Sequence, residues 1–476
     1  MRLHKKDACI LVMLSFLPLS MLLNVEGSKI EGYELLWSYD IGSTVDSVSI
    51  SANGKRIVAA GGNMVYFLDS EGGLLWKYKI RDDYSKDFYE REVFLHVSSN
   101  GEYVAVLDVR GWILTDRIFL ILNRDGNVLF NCRDCLRYGS VSDKGSFVML
   151  VPGELFKPDL ISYYDSLSFP RSRKWEYEVD NGLKVLISLD GNYMLALWFR
   201  EENRHDTYYL TLLNKYGEKL WDYKVGTETW LSWTNIKYVM YYLFSISADG
   251  GRIAFATPEE IRMIDKNGDL LIRYKRPIKY PDSQSLSLSP DGDYIVYAAQ
   301  NETHCTFIII NSKGEWGWVA KGKVSSAAVS WYADYIVAAS YSKVYLFAKS
   351  SIAKIYKARR AIEAATTAIS NEKSKGFIAT DAEDLLSRAK TLFNLGDYLE
   401  AKRLADQAYS LAIDVDQDNV PNSDDFSPYI NNSHIYASVA GSFLAAVLAG
   451  YAYARTRKRR IYVFNKETGE LTIHVS

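Results

Sequence analysis

The sequence contains little cysteine, histidine or proline: its 476 residues include four cysteines, six histidines and ten prolines. A chain so poor in cysteine is not a disulfide-dense miniprotein, and six scattered histidines offer no histidine-rich metal site. Neither sign of charge is in excess, since 56 basic residues face 58 acidic ones, so nothing electrostatic favours a nucleic-acid partner. Apolar and aromatic residues are abundant, at 48% and 14%, which excludes a disordered or collagen-like chain.

Long hydrophobic runs occur only near the two ends of the chain. Residues 1–27 begin with basic side chains, continue with an apolar stretch from Ala8 to Val25 and end in small residues. That order is typical of a signal peptide. Cleavage near Gly27 is the simplest interpretation, and an uncleaved N-terminal anchor stays open as the alternative.

The second run, Ile435 to Ala454, is uncharged and is followed by a basic cluster. A helix of this length spans ~30 Å, the thickness of a hydrocarbon core, and basic residues favour the cytoplasmic side. The pattern predicts a single transmembrane helix over 433–454, a cytoplasmic tail over 455–476 and an extracytoplasmic bulk; a buried core helix is the alternative. Small residues at every fourth position would allow homo-oligomerisation through this helix: Ala437, Gly441, Ala445 and Ala449.

An internal repeat decides the fold class. Six times the chain has Ser-x-x-Gly before an apolar run, and a seventh copy has alanine in place of the glycine. Successive serines are 41 to 47 residues apart, with one interval of 59, which is the size of a propeller blade. The copies begin at Ser51, Ser98, Ser142, Ser188, Ser247, Ser289 and Ser330.

Two further elements alternate with the serine motif. One is centred on tryptophan or a substitute, as in LLWKY at Trp76, and the other is a β-branched and aromatic run that ends in a polar-Gly turn, as in VYFLDSEGG over 65–73. Each unit therefore contains four short strands. We expect a mainly β protein with a seven-bladed β-propeller over 28–349. The serine motif should open each inner strand, and the first strand should complete the last blade.

These repeats resemble two propeller families. The segment DSEGGLLWKY (69–78) resembles the tryptophan-docking repeats of PQQ-like, or quinoprotein-like, propellers, and LSPDGDYIVYA (288–298) resembles the inner strands of tryptophan-aspartate (WD40) repeat and TolB-like propellers. The resemblance implies the architecture and leaves the activity open. A PQQ cofactor is not expected, because the chain has no adjacent-cysteine pair and seven units rather than eight.

After Lys349 the apolar period changes from two to about 3.6 residues, which predicts a helical stalk over 350–413. Two pairs fit the capping box that begins a helix: Thr380 with Glu383, and Asp397 with Glu400. The segment 392–412 resembles helical hairpins of the tetratricopeptide kind. We interpret the stalk as a spacer, with a docking site as the alternative.

An acidic hinge follows over 414–432. Its sequence DVDQDNVPNSDDF resembles a thrombospondin type 3 repeat, although Asn419 stands where that repeat has glycine and Asn422 where it has aspartate. The spacing fits a 12-residue loop around one hard cation, which predicts structural calcium; an acidic linker without metal is the alternative. The candidate ligands are Asp414, Asp416, Asp418, the Val420 carbonyl, Asn422 and Asp425.

Three further features are candidates for function or modification. The longest repeat contains an aromatic run that suits sugar stacking or partner contact, with packing between blades as the alternative. Outside the cell, Cys132 and Cys135 would form a local disulfide, and Asn301 would be a glycosylation site. The aromatic candidates are Trp230, Trp233, Tyr238, Tyr241 and Tyr242.

The sequence shows no catalytic signature and therefore predicts no catalytic or cofactor-binding residue. The layout resembles archaeal envelope proteins more than any assayed enzyme. It predicts a membrane-anchored, extracytoplasmic propeller that binds or scaffolds an envelope protein or a glycan. The alternative is an extracytoplasmic quinoprotein-like oxidoreductase or hydrolase, which would require ionisable side chains to converge at the mouth of the central channel.

Overall fold

The structure is a computed structural model. It describes residues 32–81, 91–110, 116–153, 157–167, 173–202, 205–229, 243–276, 283–300, 305–311, 314–318, 324–415, 421–422, 425, 428, 432–456, 460–464 and 471–475. The chain divides into two compact units, 1–353 and 354–476. In the first unit, the described residues form seven four-stranded antiparallel sheets.

Each sheet is one blade of a seven-bladed β-propeller, with its strands here given from the inside outwards. Blade 1 contains β2 (Val45–Ile50), β3 (Arg56–Gly61), β4 (Met64–Asp69) and β5 (Leu74–Lys79), and blade 2 contains β6 (Arg91–Val97), β7 (Tyr103–Arg110), β8 (Asp116–Asn123) and β9 (Val128–Arg133). Blade 3 contains β10 (Tyr138–Val141), β11 (Phe147–Val151), β12 (Asp159–Tyr164) and β13 (Arg173–Val179), and blade 4 contains β14 (Asn181–Ile187), β15 (Tyr193–Glu202), β16 (His205–Asn214) and β17 (Lys219–Thr229). Blade 5 contains β18 (Leu243–Ile246), β19 (Arg252–Ala256), β20 (Glu260–Asp265) and β21 (Leu270–Lys275), and blade 6 contains β22 (Ser283–Leu288), β23 (Tyr294–Gln300), β24 (Cys305–Asn311) and β25 (Gly314–Trp318). Blade 7 contains β26 (Ser326–Val329), β27 (Tyr335–Ser340), β28 (Lys343–Lys349) and β1 (Tyr33–Asp40).

The ring is closed by the first strand of the chain. Strand β1 pairs antiparallel with β28, from Tyr33 opposite Lys349 to Asp40 opposite Lys343. The last blade therefore combines strands from both ends of the propeller, as predicted. Closure also covers the edge of β28, which would otherwise be available to pair with another chain.

The core lies between neighbouring blades. The second and third strands of each blade are largely buried, as in β7, because both faces of the sheet contact another blade. One cluster joins Phe307 of blade 6 to Val329 and Ile336 of blade 7. Strands buried on both faces have near-continuous apolar runs, which accounts for the β-branched and aromatic stretches in the repeats.

The serine motif forms the turn that follows each inner strand. In six repeats the serine Oγ accepts a hydrogen bond, 2.9–3.0 Å long, from the backbone N–H five residues later, as in Ser247 and Arg252. The prediction that the motif opens the inner strand is therefore wrong: the strand ends at the serine. The hydroxyl bond adds to a backbone bond between the same two residues, such as that from the Ser247 N–H to the Arg252 carbonyl at 2.9 Å.

Among the described residues, the tryptophan element links four blades to the blade that follows. Trp76 Nε1 of blade 1 donates to the Arg124 carbonyl of blade 2 at 2.8 Å, and Trp221 of blade 4 donates to Lys266 of blade 5 at 2.7 Å. Trp37 and Trp175 make the same bond across their own seams. A buried indole needs a hydrogen-bond partner, and here that partner fixes the neighbouring blade.

The antiparallel order of each blade gives the propeller two different faces. Connections from first to second strand and from third to fourth strand leave at one end, called here the turn face; the remaining connections leave at the other, the loop face. Every first-to-second connection has five residues, as at 188–192, whereas connections on the loop face reach thirteen residues, at 230–242. The length of the connections therefore varies more on the loop face, from one to thirteen residues, than on the turn face, from two to eight.

The second unit is helical. It contains most of α1 (Ser350–Ser374), followed by α2 (Thr380–Asn394), α3 (Tyr398–Ile413) and α4 (Asn432–Thr456). Asp397 caps α3 as predicted, since its carboxylate accepts from the Glu400 N–H at 3.2 Å. Thr380 does not cap α2, because it is already the first helical residue and makes no such bond. Glu383 instead binds Lys373 at 2.6 Å.

The prediction of a membrane span at 433–454 has no support from the structure. A helix does form there, but no helix, within the part of the chain that the structure describes, is long and apolar enough to cross a bilayer. The single-pass localisation and the cytoplasmic tail at 455–476 depended on that span and lose their support with it. A hairpin that the sequence did not predict lies beyond the helix, formed by β29 (Arg460–Phe464) and β30 (Leu471–Val475).

Candidate functional site: the central channel

The inner strands of the blades surround a central channel. Side chains alternate along a strand, so residues two and four positions before the repeat serine share one side. The residues that lie two positions before each repeat serine form one level of the wall: Ser49, His96, Ser140, Leu186, Ser245, Ser287 and Ala328. The residues that lie four positions before each serine form the next level, nearer the loop face: Ser47, Phe94, Tyr138, Lys184, Leu243, Ser285 and Ser326.

The level nearer the turn face surrounds a cavity of about 90 Å³, lined by Ser49, His96, Leu186 and Ser245 among others. Serine hydroxyls of the wall also join neighbouring blades. Ser49 Oγ accepts from the Val97 N–H at 3.3 Å, and the same type of bond occurs at three other seams: Ser245 with Leu288, Ser285 with Ala327, and Ser326 with Val48. These four hydroxyls are satisfied by the fold itself.

Blades 2 to 4 place a different set of side chains in the wall. Lys184 Nζ lies 4.6 Å from the centre of the Phe94 ring, 5.1 Å from that of Tyr138 and 5.9 Å from that of Phe244. Burial lowers the pKa of Lys184 to about 8, and the negative charge of Glu92 opposes the shift. The pKa of Tyr138 is raised by burial and by Glu92, so its phenol stays neutral.

His96 and Ser140 lie two residues further along the same strands. Burial lowers the pKa of His96 to about 4, while a hydrogen bond to the backbone of Val141 opposes that shift. The imidazole is therefore neutral at pH 7. Its Nδ1 and the Ser140 hydroxyl are both buried without a hydrogen-bond partner among the residues that the structure describes.

We name this set the channel cluster: Glu92, Phe94, His96, Tyr138, Ser140 and Lys184. It combines an ammonium, a neutral imidazole and a hydroxyl with aromatic rings, and such a set can bind an anion or a hydroxylated ligand. Sequence analysis did not identify it. An alignment of the repeats on their serines would have identified the cluster, because Lys184 and His96 then fall at positions where other repeats have serine or an apolar residue.

A second charged network joins blades 1 and 2 on the loop face. Arg81 Nε donates to Asp108 at 2.5 Å and its guanidinium also pairs with Asp116, whose pKa is lowered by that arginine. Asn63 donates to the Arg81 carbonyl at 2.6 Å and accepts from Arg110 at 2.9 Å. Because these buried charges bind one another, the network connects the two blades and requires no ligand.

Several predicted site residues lie outside the described residues. They are the aromatic candidates Trp230, Trp233, Tyr238, Tyr241 and Tyr242 and the glycosylation site Asn301. The strands on either side place the aromatic run in the connection from β17 to β18, which belongs to the loop face. Cys132 and Cys135 are joined by a disulfide, with their Cα atoms 6.0 Å apart.

The predicted calcium loop is described only in part. Asp416, Asp418 and Val420 lie outside the described residues. Asn422 is buried and its side chain is used by the helical unit: its amide donates to the Ala412 carbonyl at 2.8 Å, and its oxygen accepts from the Val415 N–H at 2.9 Å. Among the described residues no group of three or more metal-binding side chains occurs, and calcium binding by Asp414, Asp425 and their neighbours stays a prediction.

No protein-family model and no curated protein matches the sequence. Hydrazine synthase of Kuenenia stuttgartiensis is similar in structure, with 13% identity, 66% of this chain and 97% of that chain covered, and a TM-score of 0.47. The β-propeller domain of Myceliophteria thermophila Cps50 (Swd1) has 12% identity, covers 66% of this chain and 99% of that chain, and has a TM-score of 0.45. At such identities the likeness concerns the fold and not the activity.

Proposed function

We propose that this protein is a binding or scaffolding module that recognises its partner with the loop face of the propeller. The observation that carries the proposal is the difference between the two faces. The connections of the turn face have two to eight residues and include seven five-residue turns held by internal hydrogen bonds, whereas those of the loop face have one to thirteen residues. Binding residues are placed preferentially on such loops over a rigid scaffold.

The partner that we propose is an envelope protein or a glycan. The sequence between β17 and β18 contains two tryptophans and three tyrosines, and such side chains suit either a sugar ring or a protein surface. The disulfide between Cys132 and Cys135 favours an oxidising, extracytoplasmic compartment. The structure supplies the scaffold for this proposal, and the partner itself awaits experiment.

Photocrosslinking tests the proposal directly. A benzophenone amino acid at Trp230 should crosslink a partner in native extracts and should label glycan-bearing material if the partner is a glycan. The matched control is Tyr216, which lies on the turn face and is 70% exposed. Crosslinks from Tyr216 with none from Trp230 would contradict the proposal.

An enzymatic function is the second candidate, because ionisable groups do converge in the channel. Lys184, Tyr138, His96 and Glu92 lie on neighbouring inner strands, and Glu92 acts on both Lys184 and Tyr138. None of them is assigned a catalytic role here, since the arrangement suits ligand binding equally well. Turnover of any ligand that the channel retains, measured by product analysis, would favour this candidate.

A further inference from the structure

The channel cluster contains an ammonium group that forms no direct hydrogen bond or ion pair with the described residues, although the negative charge of Glu92 acts on it. Within the described residues, Lys184 Nζ has no hydrogen-bond acceptor or ion-pair partner, and its nearest neighbours are the aromatic rings of Phe94 and Tyr138. The side chain lies inside the propeller but is partly exposed to the channel. Placing a cation there costs free energy unless an anion or a strong acceptor meets it.

Two more polar groups of the same wall are unsatisfied. His96 Nδ1 and Ser140 Oγ are buried and have no partner among the described residues, whereas the equivalent hydroxyls of Ser49 and Ser245 accept backbone N–H groups of the next blade. Among the described residues of these two levels of the wall, the buried polar atoms that lack a partner therefore belong to blades 2 and 3. A buried polar atom without a partner in a folded protein calls for an explanation, and a missing ligand is one.

The arrangement defines what would satisfy all three groups. Lys184 offers a positive donor, the neutral imidazole of His96 offers an acceptor at Nδ1, and Ser140 offers a hydroxyl. His96 and Ser140 each lie two residues beyond the ring that Lys184 contacts, a distance of ~7 Å along a strand. Glu92 contributes a negative charge close to Lys184, which disfavours ligands with several negative charges.

We propose that the channel cluster binds a small, hydroxylated monocarboxylate. Its carboxylate pairs with Lys184 among the rings of Phe94 and Tyr138, and its hydroxyl groups reach His96 and Ser140. This site goes beyond the proposed function, because it lies in the channel wall and uses no residue of the connection 230–242.

Calorimetric titration of the full chain tests the site with three probes: D-glucuronate, its neutral counterpart D-glucose, and hexanoate, which lacks hydroxyl groups. We expect saturable binding of glucuronate and at least about tenfold weaker binding of the other two, because each lacks one of the matched groups. Lys184→Met should weaken glucuronate binding about tenfold or more, Lys184→Arg should recover part of it, and Ser140→Ala should give a smaller loss.

Two controls separate the site from general effects. Lys215→Met removes an exposed lysine that also lies over an aromatic ring, 5.2 Å from that of Tyr216, and should leave glucuronate binding unchanged. Trp230→Ala with Trp233→Ala should also leave it unchanged, so failure of the loop-face proposal and failure of this one are distinguishable. Circular dichroism of each variant verifies folding.

The pH dependence gives an independent readout. Lys184, which faces Glu92, Tyr138 and His96, loses its proton near pH 8, so glucuronate affinity should fall as the pH rises through that value. Equal binding of glucose and glucuronate, no binding at millimolar glucuronate, or full affinity in Lys184→Met would each overturn the proposal. Equal binding of hexanoate would overturn the roles of His96 and Ser140.

Discussion

At the scale of the residue, two glycines in different turns of blade 5 show two separate reasons why a turn requires glycine. Gly250 has a positive φ of 69°, and a Cβ atom added to it would overlap the ring of Tyr193 from the preceding blade. Gly268 also has a positive φ, of 90°, but a Cβ there would meet nothing closer than 3.9 Å. A comparison of substitutions at the two glycines therefore separates the cost of backbone strain from the cost of steric overlap.

Gly268→Ala should cost only the strain of the left-handed conformation, about 1–2 kcal/mol of unfolding free energy. Gly250→Ala should cost that amount and about 1–3 kcal/mol more, since Tyr193 must move. Urea denaturation of both variants measures the difference. Equal losses would show that blade-to-blade contact at this turn is loose.

At the scale of the element, strand β1 is the closure of the ring. It pairs along its whole length with β28, and Tyr33 donates from its hydroxyl to the Ala333 carbonyl of the same blade at 2.7 Å. Without it, β28 would present an unpaired edge to solvent. Closure is therefore a requirement for a monomeric propeller.

Deleting residues 33–40 should lower the melting temperature sharply and produce oligomers or aggregates through the exposed edge. Deleting 460–476, which removes the hairpin of β29 and β30, is the control and should leave the propeller transition in place. Circular dichroism and light scattering after size exclusion measure both effects. A truncated protein that stays monomeric with an unchanged transition would contradict the closing role of β1.

At the scale of the whole molecule, the propeller was predictable because its repeats encode local hydrogen bonds. The serine of each motif binds the backbone five residues on, and tryptophans such as Trp76 bind the next blade, so both recur at fixed intervals. The place of the motif within the blade was predicted wrongly. The serine was expected at the start of the inner strand, but it lies at the end of that strand. The motif alone does not specify which neighbouring apolar run is the inner strand.

The channel cluster was not predictable from local sequence. Phe94, Tyr138 and Lys184 are separated by more than forty residues each, and they meet only because the inner strands of blades 2 to 4 stand side by side. A single lysine within an apolar strand carries no signal until the register of the blades is known. The repeat serines supply that register, but only once their place at the strand end is established.

Because the propeller has two different faces, one measurement can test the proposal that the loop face recognises the partner. Partner retention from native extracts should be compared for the wild-type protein, for Trp230→Ala with Trp233→Ala on the loop face, and for Tyr216→Ala with Tyr332→Ala on the turn face. The two turn-face tyrosines are 70% and 60% exposed, so their loss should leave folding intact. We predict that the loop-face variant loses its partner while the turn-face variant retains it. Loss of the partner in the turn-face variant alone would contradict the assignment of recognition to the loop face.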